Sequence, residues 1–455
     1  MNQTDRLYEA MRQIPAIDIH THIHAGHMSA RGLHDVLLYH MVVSELYSAG
    51  CPDGARLDEN IGDEDAAMRI ERALPYIPHI QNTSCYWGVR MILKDLYGWD
   101  QEITQNNWRE IDALIRTYHK DRNWPREVMK RAAIEKTNTE LCKRGDGAFD
   151  DILFYNLEWA FFTRCQWKQY DTALLELEAA WSEEGVGSPL PVNIDPSKLH
   201  FKRRIRNIAD VDAALDYYLS KIPFERIHGL PSHYSTDIAY REVGANEMAS
   251  AIRRRPRAGR EERDIYANYI FDRFVQKLSL SGKKAPLPFS VGAEPLQYET
   301  GSKLSSDTLF SLADTAAKYP NIDFILFSGC EHQEQAICSL IRETPNLYAA
   351  GFWWHSFFPE SISRILSRRL DMLPANKWFG FFSDAYCMDW AYAKSLIVRR
   401  QFAGEMTRRI ETGMYTEEQA LNTFKTLVHD TPVNYFKLKI KQEEARNVSE
   451  CGLFL

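Results

Sequence analysis

Along this chain a short apolar or β-branched run, a polar or glycine break and a longer helical stretch follow one another repeatedly. Alternation of that kind predicts parallel βα units. Eight runs have strand character: residues 14–19, 133–139, 190–194, 224–230, 286–291, 322–327, 347–352 and 378–382. Strands four to eight are each followed by helical patterning. The stretch 305–318 is a clear example, with Leu309, Leu312, Ala316 and Ala317 on one face. Eight such units predict an α/β fold, a (β/α)8 TIM barrel. Residues 30–131, between the first two strands, are helical in pattern and rich in aromatics. They are expected to form a helical insertion in the first βα loop, inside a single barrel domain that spans 1–455. A second, mostly helical excursion runs over 253–282.

Composition narrows this only a little. A chain of 455 residues has room for two or three domains, but a barrel core of about 250 residues with one large insertion uses the same length. Hydrophobic residues are 45% and charged residues 26%, ordinary values for a globular protein with a sizeable core. The formal net charge is −7, from 55 Lys+Arg against 62 Asp+Glu. That balance argues against a nucleic-acid partner, which wants a basic face. The basic run Arg253-Arg254-Arg255-Pro256-Arg257 is expected to be a solvated loop. No apolar run approaches the roughly 20 residues of a membrane helix, and the polar start does not resemble a targeting peptide. The eight cysteines are scattered without a Cys-x-x-Cys pair, which disfavours a disulfide framework or zinc knuckle. A cytoplasmic homo-oligomer acting on a small molecule, away from membranes, is the expectation.

The strongest chemical signal is Ile17-Asp18-Ile19-His20-Thr21-His22. Strand alternation puts His20 and His22 on one side, about 6.5–7 Å apart along the chain. Two imidazoles at a strand end can grip one metal ion, and imidazole suits zinc, manganese or iron(II). His24 and His27 follow closely and are candidates to support them. The second signal is Phe379-Gly380-Phe381-Phe382-Ser383-Asp384, an apolar strand that ends in a carboxylate. In a closed barrel strand eight lies beside strand one, so Asp384 would approach His20 and His22. Two histidines and a carboxylate leave coordination positions open for water and substrate. Asp384 could equally cap the helix that follows. The third signal is Gly351-Phe352-Trp353-Trp354-His355, at the end of strand seven. Its tryptophans could stack on a substrate or pack in the core, and His355 could act as an acid or base.

Weaker candidates are His228 and His233 around strand four, Ser290 in strand five, His332 after strand six, and His40 on a helix of the insertion. No lysine stands at the end of strand four to bridge two metals, so a mononuclear site is expected. One divalent ion is anticipated, Zn2+ first, with Mn2+ or Fe2+ as alternatives.

With these residues in place, the chain resembles the amidohydrolase superfamily and, within it, the uronate isomerases. The His20-x-His22 strand carries the likeness. So does the aromatic series Pro75-Tyr76, Tyr86-Trp87 and Leu96-Tyr97-Gly98-Trp99, and so do Trp353-Trp354 and Phe382-Ser383-Asp384. With the order of the strands, it covers nearly the whole chain. The resemblance implies His20, His22 and Asp384 as metal ligands and matches His40 to the family's insertion histidine that reaches into the site. With His355, read from its place after strand seven, Asp384 and His40 are the catalytic candidates. It also contains departures. His40 is followed by Met41, where the family has tyrosine. Asp384 is followed by Ala385-Tyr386, where the family has serine and arginine. The expected strand-three arginine reads Asp195, the strand-five histidine reads Ser290, and the superfamily's strand-six histidine reads Ser328.

Three functions follow. The first is a metal-dependent isomerase that interconverts an aldose and a ketose of a hexuronate or related sugar acid. The second is a hydrolase of a lactone, ester or amide, or a decarboxylase, of the same superfamily. The third is a non-catalytic relative that keeps the barrel as a scaffold. A sugar acid needs a cationic partner for its carboxylate, and Arg241 and Arg90 are the candidates. Trp353, Trp354, His233 and Tyr386 complete the expected substrate-binding set.

Overall fold

The structure, a computed structural model, describes residues 1–53, 62–159, 170–182, 201–233, 241–292 and 306–440. Helix α1 (Gln3–Met11) leads into β1 (Ala16–Asp18). Before the next strand come α2 (Leu33–Leu37), α3 (His40–Ser48), α4 (Asp63–Ala73), α5 (Ile77–Ile80), α6 (Ser84–Tyr97), α7 (Trp108–His119) and α8 (Trp124–Arg131). There follow β2 (Ile134–Glu140), β3 (Leu153–Asn156), α9 (Thr172–Trp181), α10 (Ile208–Lys221) and β4 (Ser232–His233). Next are α11 (Ala245–Arg253), α12 (Arg260–Leu280), β5 (Leu287–Val291), α13 (Ser306–Lys318), β6 (Phe324–Ser328), α14 (Glu334–Glu343) and β7 (Leu347–Ala350). The last described elements are α15 (Pro359–Met372), β8 (Trp378–Phe379), α16 (Met388–Glu411), α17 (Glu417–Lys425) and α18 (Thr431–Phe436).

The chain divides into two compact units. One comprises Met1–Thr139, Gly145–Leu153 and Gly351–Leu455; the other comprises Glu140–Arg144 and Phe154–Ala350.

In the first unit β1 pairs in parallel with β2, with Ile17 opposite Lys136 and Asp18 opposite Thr137. Both strand starts are pinned by one cation. The buried Arg399 guanidinium donates to the carbonyls of Ile14 (2.9 Å) and Ala133 (2.9 Å). Arg399 lies on α16, whose residues Met388 to Val398 are all buried. A helix buried on every side needs neighbours around its whole circumference, and α1, α6, α8 and α15 supply them. Gly88 on α6 is where the approach is tightest: a Cβ there would stand 2.8 Å from the Trp390 ring.

In the second unit β4, β5, β6 and β7 form a parallel series in chain order. All five residues of β5, and likewise of β6, are buried, as strands covered on both faces require. The Arg253–Arg257 run closes α11 and continues as a 3-10 turn; Arg253, Arg254 and Arg257 are exposed as expected, and Arg255 is the exception. Arg255 forks onto the fully buried Glu178 (2.5 and 3.0 Å) and reaches Asp171 (2.8 Å). Its charge offsets a carboxylate that burial would otherwise penalise.

Six expected strands coincide with β1, β2 and β5 to β8, each within a few residues. The strand expected at 190–194 lies outside the described residues. Residues 224–230 do not form a strand; β4 comes slightly later. The backbone there still makes isolated ladder-like bonds, from His228 to Tyr155 (2.8 Å) and from Leu230 to Pro286 (2.9 Å). Prolines at 223 and 231 remove the donors that a longer strand would use. The strand β3 was not anticipated, because four residues after the turn-forming Gly145-Asp146-Gly147 and Asp150-Asp151 carry little periodicity.

Candidate metal centre

The centre lies wholly within the first unit. After β1 the chain stays extended, and it meets the segment after β8 through two backbone bonds. Asp384 N–H donates to the His20 carbonyl (2.9 Å), and His22 N–H donates to that of Ala385 (2.8 Å). The alternation expected from the sequence holds here. Thr21 turns towards β2, its hydroxyl donating to the Asn138 carbonyl, and the two histidines turn together the other way. Their Nε2 atoms stand 3.2 Å (His20) and 3.3 Å (His22) from the same Asp384 oxygen, Oδ1. The rings meet edge to face, with centroids 4.9 Å apart.

This donor set fits a divalent ion. Ligands about 2.1 Å from a metal, at tetrahedral to octahedral angles, lie about 3.0–3.4 Å from one another, and both nitrogen-to-oxygen separations fall in that range. All three donor atoms lie within 4.8 Å of one another. Burial alone would raise the Asp384 carboxyl, but hydrogen bonds and charge from His20 and His22 hold it well below the usual carboxylate range. It is therefore ionised, as a ligand must be.

The backbone around the centre is strained. Five described residues other than glycine have positive φ, and three of them are here: Asp384 (54°), His40 (24°) and Trp353 (29°). Left-handed backbone at such residues costs of order 1–3 kcal/mol and persists only where the surroundings enforce it. At Asp384 the enforcement is visible. The Ser383 N–H donates to the buried Asp18 carboxylate (2.8 Å). The Lys394 ammonium donates to the Ser383 carbonyl (2.6 Å), and the Tyr39 hydroxyl to the Asp384 carbonyl (2.7 Å). Asp18 itself is fully buried, and desolvation lifts its carboxyl to about 7, against hydrogen bonds from Ser383 and His20. Gly351, at φ 45°, could not be another residue without displacement, since a Cβ would fall 2.2 Å from Phe382. The Phe382 ring in turn packs edge-on against His20 at 5.5 Å.

Several expected residues gather beside the three donors. Tyr386 stacks on His22 (4.8 Å between centroids) and lies 6.0 Å from His40, which meets Trp354 edge to face at 5.7 Å. Burial drives the His40 imidazole down to about 4, with Asp384 opposing and Lys394 assisting, so it is neutral at pH 7. Trp353 and Trp354 are both buried, and His355 is buried in the same turn.

Other candidates stand elsewhere. His24 and His27 stack on each other at 4.8 Å, and His24 Nδ1 accepts the Gly26 N–H (2.9 Å), so their bonding serves a local turn. Arg90 is engaged by Glu102 (3.4 Å) and Asp100 (3.6 Å). Arg241, in the second unit, forks onto Glu247 (2.5 and 3.0 Å) at a cleft of about 300 Å³ that also carries Glu242, Asp272, Asp314 and Lys318. His233 pairs through its backbone with Ser290, on β4 and β5. His228 packs edge-on against Phe154 at 5.2 Å. His332 is exposed and lies 3.3 Å from the Cys330 sulfur.

Sequence reasoning missed Tyr39, Lys394 and Asp18. A signal for two of them was present. Asp18 is a charge inside an apolar strand, and Lys394 is a charge inside the apolar run of α16.

The architecture is α/β with parallel strands, and it is that of the uronate isomerases. Uronate isomerase from Thermotoga maritima superposes with a TM-score of 0.72 at 13% identity, over 95% of this chain and 97% of that one. Glucuronate isomerase from Caulobacter crescentus gives 0.76 at 14% identity, over 96% and 94%. A Lactobacillus casei protein described as a metal-dependent hydrolase gives 0.61 at 14%, over 96% and 98%. At these identities the likeness is one of fold. No protein-family profile matches the chain, and no curated protein matches it by sequence.

Proposed function

We propose that this protein is a metal-dependent enzyme that interconverts the aldose and ketose forms of a hexuronate or related sugar acid. The observation that carries the proposal is the group His20, His22 and Asp384, converging on a backbone whose fold is shared with uronate isomerases. The same reading takes 1–455 as one (β/α)8 barrel with residues 30–131 as its insertion. The backbone bonds between the segments that follow β1 and β8 support it.

When bound, a divalent ion, Zn2+ or else Mn2+ or Fe2+, would polarise the carbonyl and neighbouring hydroxyl oxygens of the substrate. The rest belongs to the chain. A base removes the proton from the carbon beside the carbonyl and returns it to the former carbonyl carbon. The hydroxyl proton passes to the carbonyl oxygen, so the formula is unchanged. His40, neutral and beside the donors, is the leading candidate for that shuttle, with His355 as the other. Trp353, Trp354 and Tyr386 would cover the sugar's flat faces. If Arg90 or Arg241 reads the carboxylate, it must first give up its acidic partners.

A second reading is hydrolysis of a lactone, ester or amide. It is favoured by one feature, Tyr386 stacked on His22 where the resemblance calls for arginine. Assays of the metal-loaded protein on hexuronates, lactones and small amides distinguish the two. Aldose–ketose conversion of a uronate is the expected result. Turnover of lactones or amides alone would refute the isomerase reading.

A further inference from the structure

Two groups outside the donor set hold the turn that aims Asp384. Asp384 has a left-handed backbone (φ 54°), so its carboxylate points at the histidines only while the peptides on either side keep their orientation. Each of those peptides has its carbonyl tied down. The Ser383 carbonyl accepts from Lys394 Nζ at 2.6 Å, and the Asp384 carbonyl accepts from the Tyr39 hydroxyl at 2.7 Å. The two donors are themselves linked, Lys394 Nζ to Tyr39 Oη, at 3.3 Å.

Neither group is free to serve another purpose. Lys394 is completely buried. Its ammonium lies 4.0 Å above the Phe357 ring and 5.2 Å from that of Tyr39, a cation–π cage that replaces part of its lost hydration. Tyr39 is stacked on Trp390 at 4.7 Å and is also buried. A buried charge is costly unless it is paired and hydrogen-bonded. This one is spent on a carbonyl next to a metal-ligand candidate.

We infer that Lys394 and Tyr39 are positioning residues that clamp the Ser383–Asp384–Ala385 turn and so preset the Asp384 carboxylate for the ion. The inference rests on the metal-centre reading. Residues that orient a metal ligand typically change metal affinity 10–100-fold when lost. Both groups bond to backbone carbonyls of the turn and not to the donor atoms, so their loss acts on the geometry of one ligand.

The test compares the parent with Tyr39→Phe and Lys394→Met. Each is titrated with Zn2+ against a chromophoric chelator and with Co2+ by absorption spectroscopy, and folding is followed by circular dichroism. The parent is expected to bind Zn2+ and show a ligand-field Co2+ spectrum. Tyr39→Phe should bind roughly 10-fold more weakly and Lys394→Met up to about 100-fold, each with an altered Co2+ spectrum. A variant that merely loosens packing would melt earlier while its loaded fraction kept the parent spectrum, and that result would overturn the clamp. Folded variants with parent affinity would overturn it equally. If Lys394→Met fails to fold, Tyr39→Phe decides alone. A parent that binds neither ion overturns the metal-centre reading itself, a failure visible before any variant is made.

Discussion

Asp384 joins two demands in one residue. Its carboxylate meets two imidazoles, and its backbone adopts a conformation that asparagine and aspartate tolerate better than most residues. Asp384→Asn therefore keeps the turn and removes the charge. Folding is expected to be nearly unchanged, while activity falls by about 10²-fold or more, the scale of losing an acid–base group. A chelator titration checks the accompanying loss of metal affinity. Gly351 is the opposite case, where backbone and space leave no alternative. Gly351→Ala forces a methyl to within 2.2 Å of the Phe382 ring, and Phe382 packs on His20. Destabilisation of about 1–3 kcal/mol by denaturant unfolding is expected, the usual cost of overpacking and strain. An unchanged midpoint would show that the ring moves freely. The three donors were legible in the sequence because strand periodicity and strand ends carry them. Tyr39 was not, because its role depends on where α3 begins and on a hydroxyl that reaches residue 384 from 345 positions away.

Elements were read from periodicity, and that decided which were found. Long apolar strands such as β5 and β6, and amphipathic helices such as α13, announced themselves. The short strand β3 did not, and prolines hid the true position of β4. Charge patterning held for the exposed Arg253, Arg254 and Arg257 but missed Arg255, since an arginine in a run looks the same whether it faces water or a buried Glu178. Another long-range tie sits at the other end of the chain. The π-helical turn Thr426–Asp430 is fastened to β2 by His429, whose Nε2 lies 3.2 Å from Glu135 and whose Nδ1 lies 2.7 Å from Asp430. Burial opposes the charged imidazole, but bonds to these two carboxylates outweigh it and raise its pKa above 6.5. Such a histidine contributes its full stability below the unfolded pKa and loses it as pH rises through the folded one. Hydrogen bonds to charged groups are worth about 1.5–3 kcal/mol. His429→Leu should therefore cost roughly that much at pH 5.5–6 and clearly less at pH 9. Chemical denaturation at the two pH values measures it, and an equal loss at both would show that the imidazole is not charged in the folded protein.

At the scale of the whole molecule, the order of strands survives where little sequence identity does. Strands and the His-x-His signal placed the chain beside the uronate isomerases, and the shared fold over about 95% of its length agrees. The departures concern what surrounds the donors: Tyr386 for an arginine, and Met41 after His40. If His20, His22 and Asp384 hold an ion as proposed, changed substrate contacts around them would be what divergence of substrate within one fold leaves. No described helix is long and apolar enough to cross a membrane. Everything proposed about activity depends on the ion. The most direct measurement is the metal content of the purified protein by mass spectrometry after equilibration with Zn2+, Mn2+ or Fe2+ and removal of excess, with His22→Ala carried in parallel. The account predicts close to one divalent ion per parent chain and its loss from the folded variant. Two ions per chain, none, or full retention by His22→Ala would contradict it.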